Sequence, residues 1–417
     1  MKGIKAQIAS SLLVCTLAAC APSALPTVSA PPTQTPIRTL ALPTATPTPV
    51  PDNPTISPTM FDQNNGWGTT DGPYVSRRIL RTQDGGLTWK DVTPAEAASV
   101  QDGALFILDR QNAWLFSATR SRGTPAIFHT ADGGHHWVEY QENLPFKASA
   151  SLNFVDPNHG TAVGDLDGGA GTFYFRLFQT GDGGQTWKPL LFNDPRGIPA
   201  ERGFPAGTFH VSSGEGFEFR APATIWFGGN ALVAEKTITL QVSHDAGRSW
   251  AKRQINVPES DRVLFDMVQY GLPVFITDRD AYILASYSLP GSSKDKPRDV
   301  TAVIMTHDGG DTWAASPSLL DGLGPEPSLQ FVSPTDAFVR CGDTLCVTHD
   351  SAKTWQSIQA NISFAPVGPD QDQVLIGYDF INTTTGWAEI ANGLENEMIK
   401  TSDGGVTWTK LSPTIRP

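Results

Sequence analysis

One eight-residue phrase occurs seven times along this chain, and it restricts the fold more than any other feature. Its pattern is Ser or Thr, any residue, Asp, any residue, Gly, any residue, Thr or Ser, then Trp. The copies are built on Asp84, Asp132, Asp182, Asp245, Asp308, Asp350 and Asp403, with Trp89, Trp137, Trp187, Trp250, Trp313, Trp355 and Trp408 closing them. Successive Asp positions stand from 42 residues apart (Asp308 to Asp350) to 63 apart (Asp182 to Asp245). A phrase repeated at that period marks a repeat protein in which each copy belongs to one supersecondary unit.

The physical content of the phrase is a turn followed by a core residue. An Asp at the head of a tight turn accepts backbone N–H groups ahead of it, and the Gly permits a positive φ without a Cβ penalty. The Trp supplies apolar area for packing between sheets. Seven copies of a catalytic residue would serve no purpose, so the phrase reads as a structural staple. Two copies depart from the pattern: His136 replaces the later Thr, and Ala352 replaces the Gly, which predicts a strained or rearranged sixth turn.

Each phrase has an upstream companion, such as "LFILDRQNAWLFSA" or "YDFINTTTGWAEI". An apolar strand runs into a polar turn and then into a second strand opening on Trp67, Trp114, Thr161, Trp226, Tyr282, Phe338 or Trp387. That is a hairpin signal. With a third strand leading into the Asp turn and a fourth carrying the Trp, the unit is a four-stranded antiparallel meander. Seven such sheets packed radially give an all-β, seven-bladed β-propeller. Blades of consecutive strands, from near Met60 to near Leu411, need no strand borrowed from elsewhere to close the ring.

These residues resemble the BNR or Asp-box repeat of sialidases, sortilin-type receptors and the photosystem II assembly factor family. The pairing of "F-x-D-x-x-x-G-W" with "T-x-D-G-G-x-T-W" is most similar to that last family and its bacterial relatives. The resemblance covers about residues 55–412 and implies the propeller fold. It does not extend to sialidase chemistry: that family's Arg-Ile-Pro signature is expected on the first strand, where this chain has "PTMFDQ".

The first residues carry a separate message. Lys2 and Lys5 precede a short apolar run ending in Leu17-Ala18-Ala19-Cys20, a secretory signal too short to span as a membrane helix. The tetrad resembles the lipobox of bacterial lipoproteins, which implies residues 1–19 as signal peptide and Cys20 as the lipidated first residue of an exported chain. Residues 20–56 form a Pro/Thr-rich tether, and 57–417 the propeller. Proline-rich chains favour extended conformations, so the tether would hold the propeller away from a membrane or cell surface.

Chemistry was sought in the remaining residues. A formal net charge of −12 and the lack of any basic run argue against nucleic acid as a partner. Six of the eight histidines lie in or beside the Asp turns, at separate places on the rim, and read as exposed turn residues. Asp165 and Asp167 in "GDLDGGAG" suggest a calcium loop but lack the later carboxylate of an EF-hand. No metal, cofactor or catalytic residue is therefore expected. Cys341 and Cys346 face each other across a four-residue loop, in a position to form a disulfide.

Binding is expected on the irregular loops, because long loops on a rigid scaffold commonly carry it. In a meander the Asp turns and first turns share one face, and the loops between second and third strands share the other. Residues 164–174, 193–219, 258–271 and 286–299 fall on that other face, and Arg196, Arg202, Glu215, Tyr270, Tyr287, Lys294 and Arg298 are the candidate ligand-binding residues. The function expected is a monomeric, lipid-anchored, non-catalytic binding or assembly module at the cell surface, for a protein or glycan ligand. The alternatives are an extracellular carbohydrate-active enzyme using loop carboxylates, and an assembly factor for a membrane protein complex. Replacing Cys20 by Ser should abolish incorporation of labelled fatty acid. Wild-type protein that takes up no label would contradict the lipid anchor.

Overall fold

The computed structural model describes residues 55–71, 78–95, 97, 104–117, 125–140, 150–169, 172–193, 216–221, 223–228, 237–259, 263–264, 268–293, 296–321, 329–364, 373–392 and 395–416. Residues 1–49 and 50–417 separate into two units, and every described residue belongs to the second. The signal peptide, Cys20 and nearly all of the tether thus lie outside the described residues.

Among the described residues thirty strands form seven sheets, one per repeat, antiparallel except where a last strand joins blade one in parallel. Blade one holds β1 (Thr55–Met60), β2 (Gly66–Asp71), β3 (Ile79–Thr82) and β4 (Thr88–Asp91). Blade two holds β5 (Ala104–Ile107), β6 (Ala113–Ser117), β7 (Ala126–Thr130) and β8 (Val138–Tyr140). Blade three holds β9 (Ala150–Phe154), β10 (Gly160–Gly169), β11 (Thr172–Thr180) and β12 (Lys188–Asn193). Blade four holds β13 (Gly216–Ala221), β14 (Thr224–Gly228), β15 (Thr237–Ser243) and β16 (Ala251–Asn256). Blade five holds β17 (Val268–Tyr270) and β18 (Val274–Phe275), both on the inner side of β19 (Ala281–Ser293), then β20 (Lys296–Thr306) and β21 (Ala314–Asp321). Blade six holds β22 (Leu329–Phe331), β23 (Ala337–Cys341), β24 (Thr344–Thr348) and β25 (Gln356–Ser357). Blade seven holds β26 (Gln373–Phe380), β27 (Gly386–Asn392), β28 (Glu395–Thr401) and β29 (Trp408–Lys410). A seven-bladed β-propeller of four-stranded antiparallel blades is therefore the architecture, as the repeats predict. Strand β1 starts at Thr55, two residues inside the segment read as tether.

The Asp turns work the same way in all seven blades. The N–H four residues after each Asp donates to its Oδ1 at 2.8–2.9 Å. The Thr or Ser hydroxyl two residues before it donates to the same oxygen at 2.8–3.0 Å. That hydroxyl in turn accepts the N–H two residues after the Asp. A further bond explains why the Asp phrase always has a companion: in every blade the N–H just after the Asp donates to a carbonyl of the first turn, as from Gly85 to Asn64 at 2.9 Å and Gly404 to Thr384 at 2.8 Å. The two turns at one end of each blade are thereby locked together.

Except in blade three, where Thr161 stands instead, an aromatic residue opens each second strand and faces the next blade. Trp114 and Trp387, both fully buried, donate through Nε1 to the carbonyls of Gly183 and Gly85 in the following Asp turn, at 2.8 and 2.9 Å. Trp226 lies against Gly310 of blade five, where an added Cβ would come within 2.4 Å of the ring. Close packing of this kind is what joins sheet to sheet. The ring closes between blades seven and one, where β1 packs on β26, β27 and β28 and the Met60 N–H donates to Asp379 at 2.6 Å.

Both departures from the phrase have a structural outcome. His136 takes over the role of the missing hydroxyl, its Nδ1 lying 2.6 Å from Asp132 Oδ2. The sixth turn keeps its hydrogen bonds, but Ser351 and Ala352 both adopt left-handed backbone, with φ of 62° and 63°. The Ala352 carbonyl is occupied by the Ser316 hydroxyl of β21, and Trp355 Nε1 is left without a partner. In five other blades the Trp indole bonds the carbonyl of its own turn's second Gly. The turn is thus strained and locally rearranged.

Two stretches read as irregular loops are strands instead. Residues 164–169 and 172–174 extend the β10–β11 hairpin, and 286–293 and 296–299 extend β19–β20. Cys341 and Cys346 are disulfide-bonded across the β23–β24 hairpin, with Cα atoms 5.9 Å apart.

Two predictions follow from the turns. Ala352→Gly relieves a Cβ held at positive φ and should raise stability by about 1 kcal/mol in urea denaturation; a loss of stability would contradict the strain. Hydrogen bonding by the Ser249 and Thr354 hydroxyls and N–H groups holds Asp245 and Asp350 at about 2. A carboxyl pKa lowered by folding contributes stability above its unfolded value and loses it as pH falls toward the folded one. Thermal melting should therefore drop steeply from about pH 4 to pH 2, and a flat profile there would count against the staple.

Candidate functional site

Of the residues singled out from the sequence, Arg196, Arg202, Glu215 and Lys294 lie outside the described residues. Tyr270 and Tyr287 stand on paired strands, but both rings are buried in one core shared by blades four and five. The Tyr270 hydroxyl donates to the Thr239 carbonyl at 2.9 Å, and burial pushes the Tyr287 hydroxyl pKa up. Arg298 is exposed on β20 and paired with Asp321 at 2.6 Å. The structure does not bring these three to one open surface.

The histidines also divide differently from the sequence reading. His307 and His349 bridge the two turns of their blades, bonding Asp280 and Asp336 at 2.7 and 2.6 Å. His129 is no exposed turn residue: its ring stacks on Trp114 at 4.4 Å, and burial lowers its pKa. Asp165 and Asp167 fall in β10 with their side chains outside the described set. Among the described residues no group of His, Cys, Asp and Glu is placed to hold a metal.

The feature that does converge lies on the face of the Asp turns. A cleft of about 820 Å³ opens between blades one and two. One wall is β4 with Thr88, Trp89 and Lys90; the other is the pair of turns of blade two, with Asp109, Arg110 and Gln111 from the first and Asp132, Gly133 and His135 from the second. Arg81 and Gln83 of blade one line it too, as does Arg416 from a last strand, β30 (Thr414–Arg416).

Charge in the cleft is unbalanced. Arg81, Lys90, Arg110 and Arg416 face two carboxylates, and both carboxylates are committed to their own turns. Asp109 accepts the N–H groups of Gln111 and Asn112 at 2.7 Å, and Asp132 accepts from Thr130 and His136. Arg110 pairs with Asp62 at 2.9 Å while its side chain remains more than half exposed. Lys90 and Arg416 are exposed and have no ion-pair partner among the described residues. Arg81 is the structural member: its guanidinium lies 4.9 Å over the Trp67 ring and donates to the Gly66 and Arg110 carbonyls at 2.7 and 2.9 Å. Burial, and after it the Arg110 charge, pulls its pKa below the ordinary guanidinium value. A guanidinium in this setting keeps its proton and offers a fixed planar donor array suited to carboxylates.

Sequence reasoning missed this site because its cations are far apart in the chain and form no run. The legible signal is the Arg in "DRQN", at a turn position where the other blades carry Gln63, Pro157, Pro222, Asp278, Pro334 and Thr383.

No protein-family model matches the chain. Over 252 residues it is 23% identical to the photosystem II assembly lipoprotein Ycf48 of Synechococcus sp. (strain CC9902), covering 58% of this chain and 70% of the relative. It is similar to a photosystem II assembly lipoprotein. Among solved structures it is similar to YCF48 bound to a D1 peptide, with a TM-score of 0.48 and 15% identity over 85% of this chain and 95% of that one. It is also similar to the GH74 xyloglucanase from Xanthomonas campestris, with a TM-score of 0.49 and 16% identity over 83% of this chain and 52% of the enzyme.

The cleft's residues should separate by role on substitution. Arg81→Ala removes two hydrogen bonds, one part-buried and one exposed, and the packing on Trp67, and should cost about 1–3 kcal/mol in denaturant unfolding. Lys90→Ala should change stability by no more than about 0.5 kcal/mol. Equal losses in the two variants would contradict these assignments.

Proposed function

We propose that this chain is an exported, lipid-anchored propeller that binds an acidic segment of a partner protein in the cleft between blades one and two, acting as a non-catalytic assembly or holding module. The observation that carries this reading is the convergence of cations in one cleft of a chain whose net charge is −12. Like charges gathered at one place cost stability unless an anion meets them, and complementary potentials raise association rates and exclude wrong partners. The cleft's volume lies within the range of ligand sites, and Trp89 and Val92 behind it are buried core residues that hold its walls in place.

That the similar protein is an assembly lipoprotein supports both the anchored and the assembly parts of the reading. An anchor at Cys20 followed by the proline-rich tether would present the propeller to partners at a membrane surface. The propeller supplies a rigid mount, with Lys90 on β4 and Arg110 and His135 on the turns of blade two. Nothing in this reading requires bond making or breaking.

The test is fluorescence anisotropy of a labelled ten-residue peptide of alternating Glu and Asp, titrated with residues 50–417 at several salt concentrations. Saturable binding that weakens with salt is expected, and the double variant Lys90→Glu, Arg110→Glu should abolish it. Binding left intact by that variant would remove the cleft from consideration, and no saturable binding by the wild type would overturn the reading.

A further inference from the structure

Strand β30 has no counterpart in the other blades. It pairs in parallel with β4, the outermost strand of blade one, in the register Thr414 to Thr88, Ile415 to Trp89 and Arg416 to Lys90. Among the described residues, the outer strands of the other six blades carry no such addition. Every blade has its own four strands, so β30 is not needed to complete a sheet. Its attachment is slight: three residues, the Thr414 N–H donating to the Leu87 carbonyl at 3.1 Å, and Ile415 packed on the core that holds Trp89. Parallel pairing is weaker per residue than antiparallel pairing.

The register has a cost that stability alone does not account for. It sets Arg416 directly beside Lys90, on strands about 4.8 Å apart, and like charges opposite each other in a sheet are destabilising. Both side chains line the cleft. A strand not needed to complete any sheet thus delivers one more cation to the cleft where Arg81, Lys90 and Arg110 already gather.

We propose that Arg416 is an anion-binding residue of the cleft and that β30 is its reversible mount, docked more firmly when an acidic segment is bound. The proposal rests on the reading of the cleft given above and assigns a residue and a moving part to it. An anion between Lys90 and Arg416 turns their repulsion into shared attraction, so the ligand favours the docked strand. By linkage the docked strand favours the ligand to the same degree. With β30 undocked, the cleft keeps Lys90, Arg110 and His135 but loses part of its outer wall.

The same labelled Glu/Asp peptide tests this. Arg416→Ala should bind about tenfold more weakly than wild type, with Arg416→Lys recovering part of the loss. Ile415→Asp, which keeps Arg416 but removes the strand's apolar hold, should weaken binding to a similar extent while leaving the thermal melt of the propeller nearly unchanged. Wild-type affinity in both Arg416→Ala and Ile415→Asp, with binding still abolished by Lys90→Glu, Arg110→Glu, would overturn this proposal and leave the cleft reading intact. Failure of the wild type to bind the peptide would overturn both. A loss in Arg416→Ala with none in Ile415→Asp would retain Arg416 as a contact and overturn the strand's part.

Discussion

The interaction on which the rest of the structure depends is the hold of one carboxylate on the turn ahead of it. Each Asp accepts an N–H and a hydroxyl at short range, and the turn it shapes donates across to the first turn of the same blade. This fixes the end of every sheet. It also places backbone carbonyls where the preceding blade's aromatic residue can meet them, as Trp387 meets Gly85 and Trp114 meets Gly183. Local hydrogen bonding and the contact between blades are therefore one device. In six of the seven turns the Gly two residues after the Asp serves both, supplying the left-handed backbone and leaving room for the neighbouring ring.

Regularity of that kind makes a rigid and uniform rim, and function must come from its departures. Three are informative. In blade two an imidazole replaces a hydroxyl and the turn survives, because Nδ1 reaches the same oxygen. In blade six the glycines are lost, and the backbone keeps its path while the indole gives up its bond. At the seam of blades one and two, the turn residues Arg110 and His135 meet Lys90 of the outer strand, and Arg81, held over Trp67, forms the base of a positive cleft. Only this last departure creates a surface with an evident chemical preference.

The fold was legible because it is written seven times, and each copy carries its own turn chemistry and core residue. Strand boundaries were less so. "DLDGGAGTFY" and "SYSLPGSSKDKPRD" carry glycines, a proline and charges that mark loops, yet their flanks pair as long hairpins, since cross-strand pairing with an already formed sheet overrides weak local preference. Tyr270 and Tyr287, taken for loop aromatics, are core residues. The cleft was not legible because register and blade order, not sequence proximity, bring Arg416 to Lys90 and Arg81 to Arg110. A chain acidic on average can still concentrate cations at one seam.

Hydrogen exchange measured with and without the acidic peptide addresses the central claim most directly, because it reports where on the ring the ligand acts. The account predicts slowed exchange in residues 88–92, 108–112, 131–137 and 414–416, around the cleft, with the β10–β11 and β19–β20 hairpins unchanged. Protection confined to residues 164–169, 172–174, 286–293 and 296–299, in the extended hairpins of blades three and five, would contradict it.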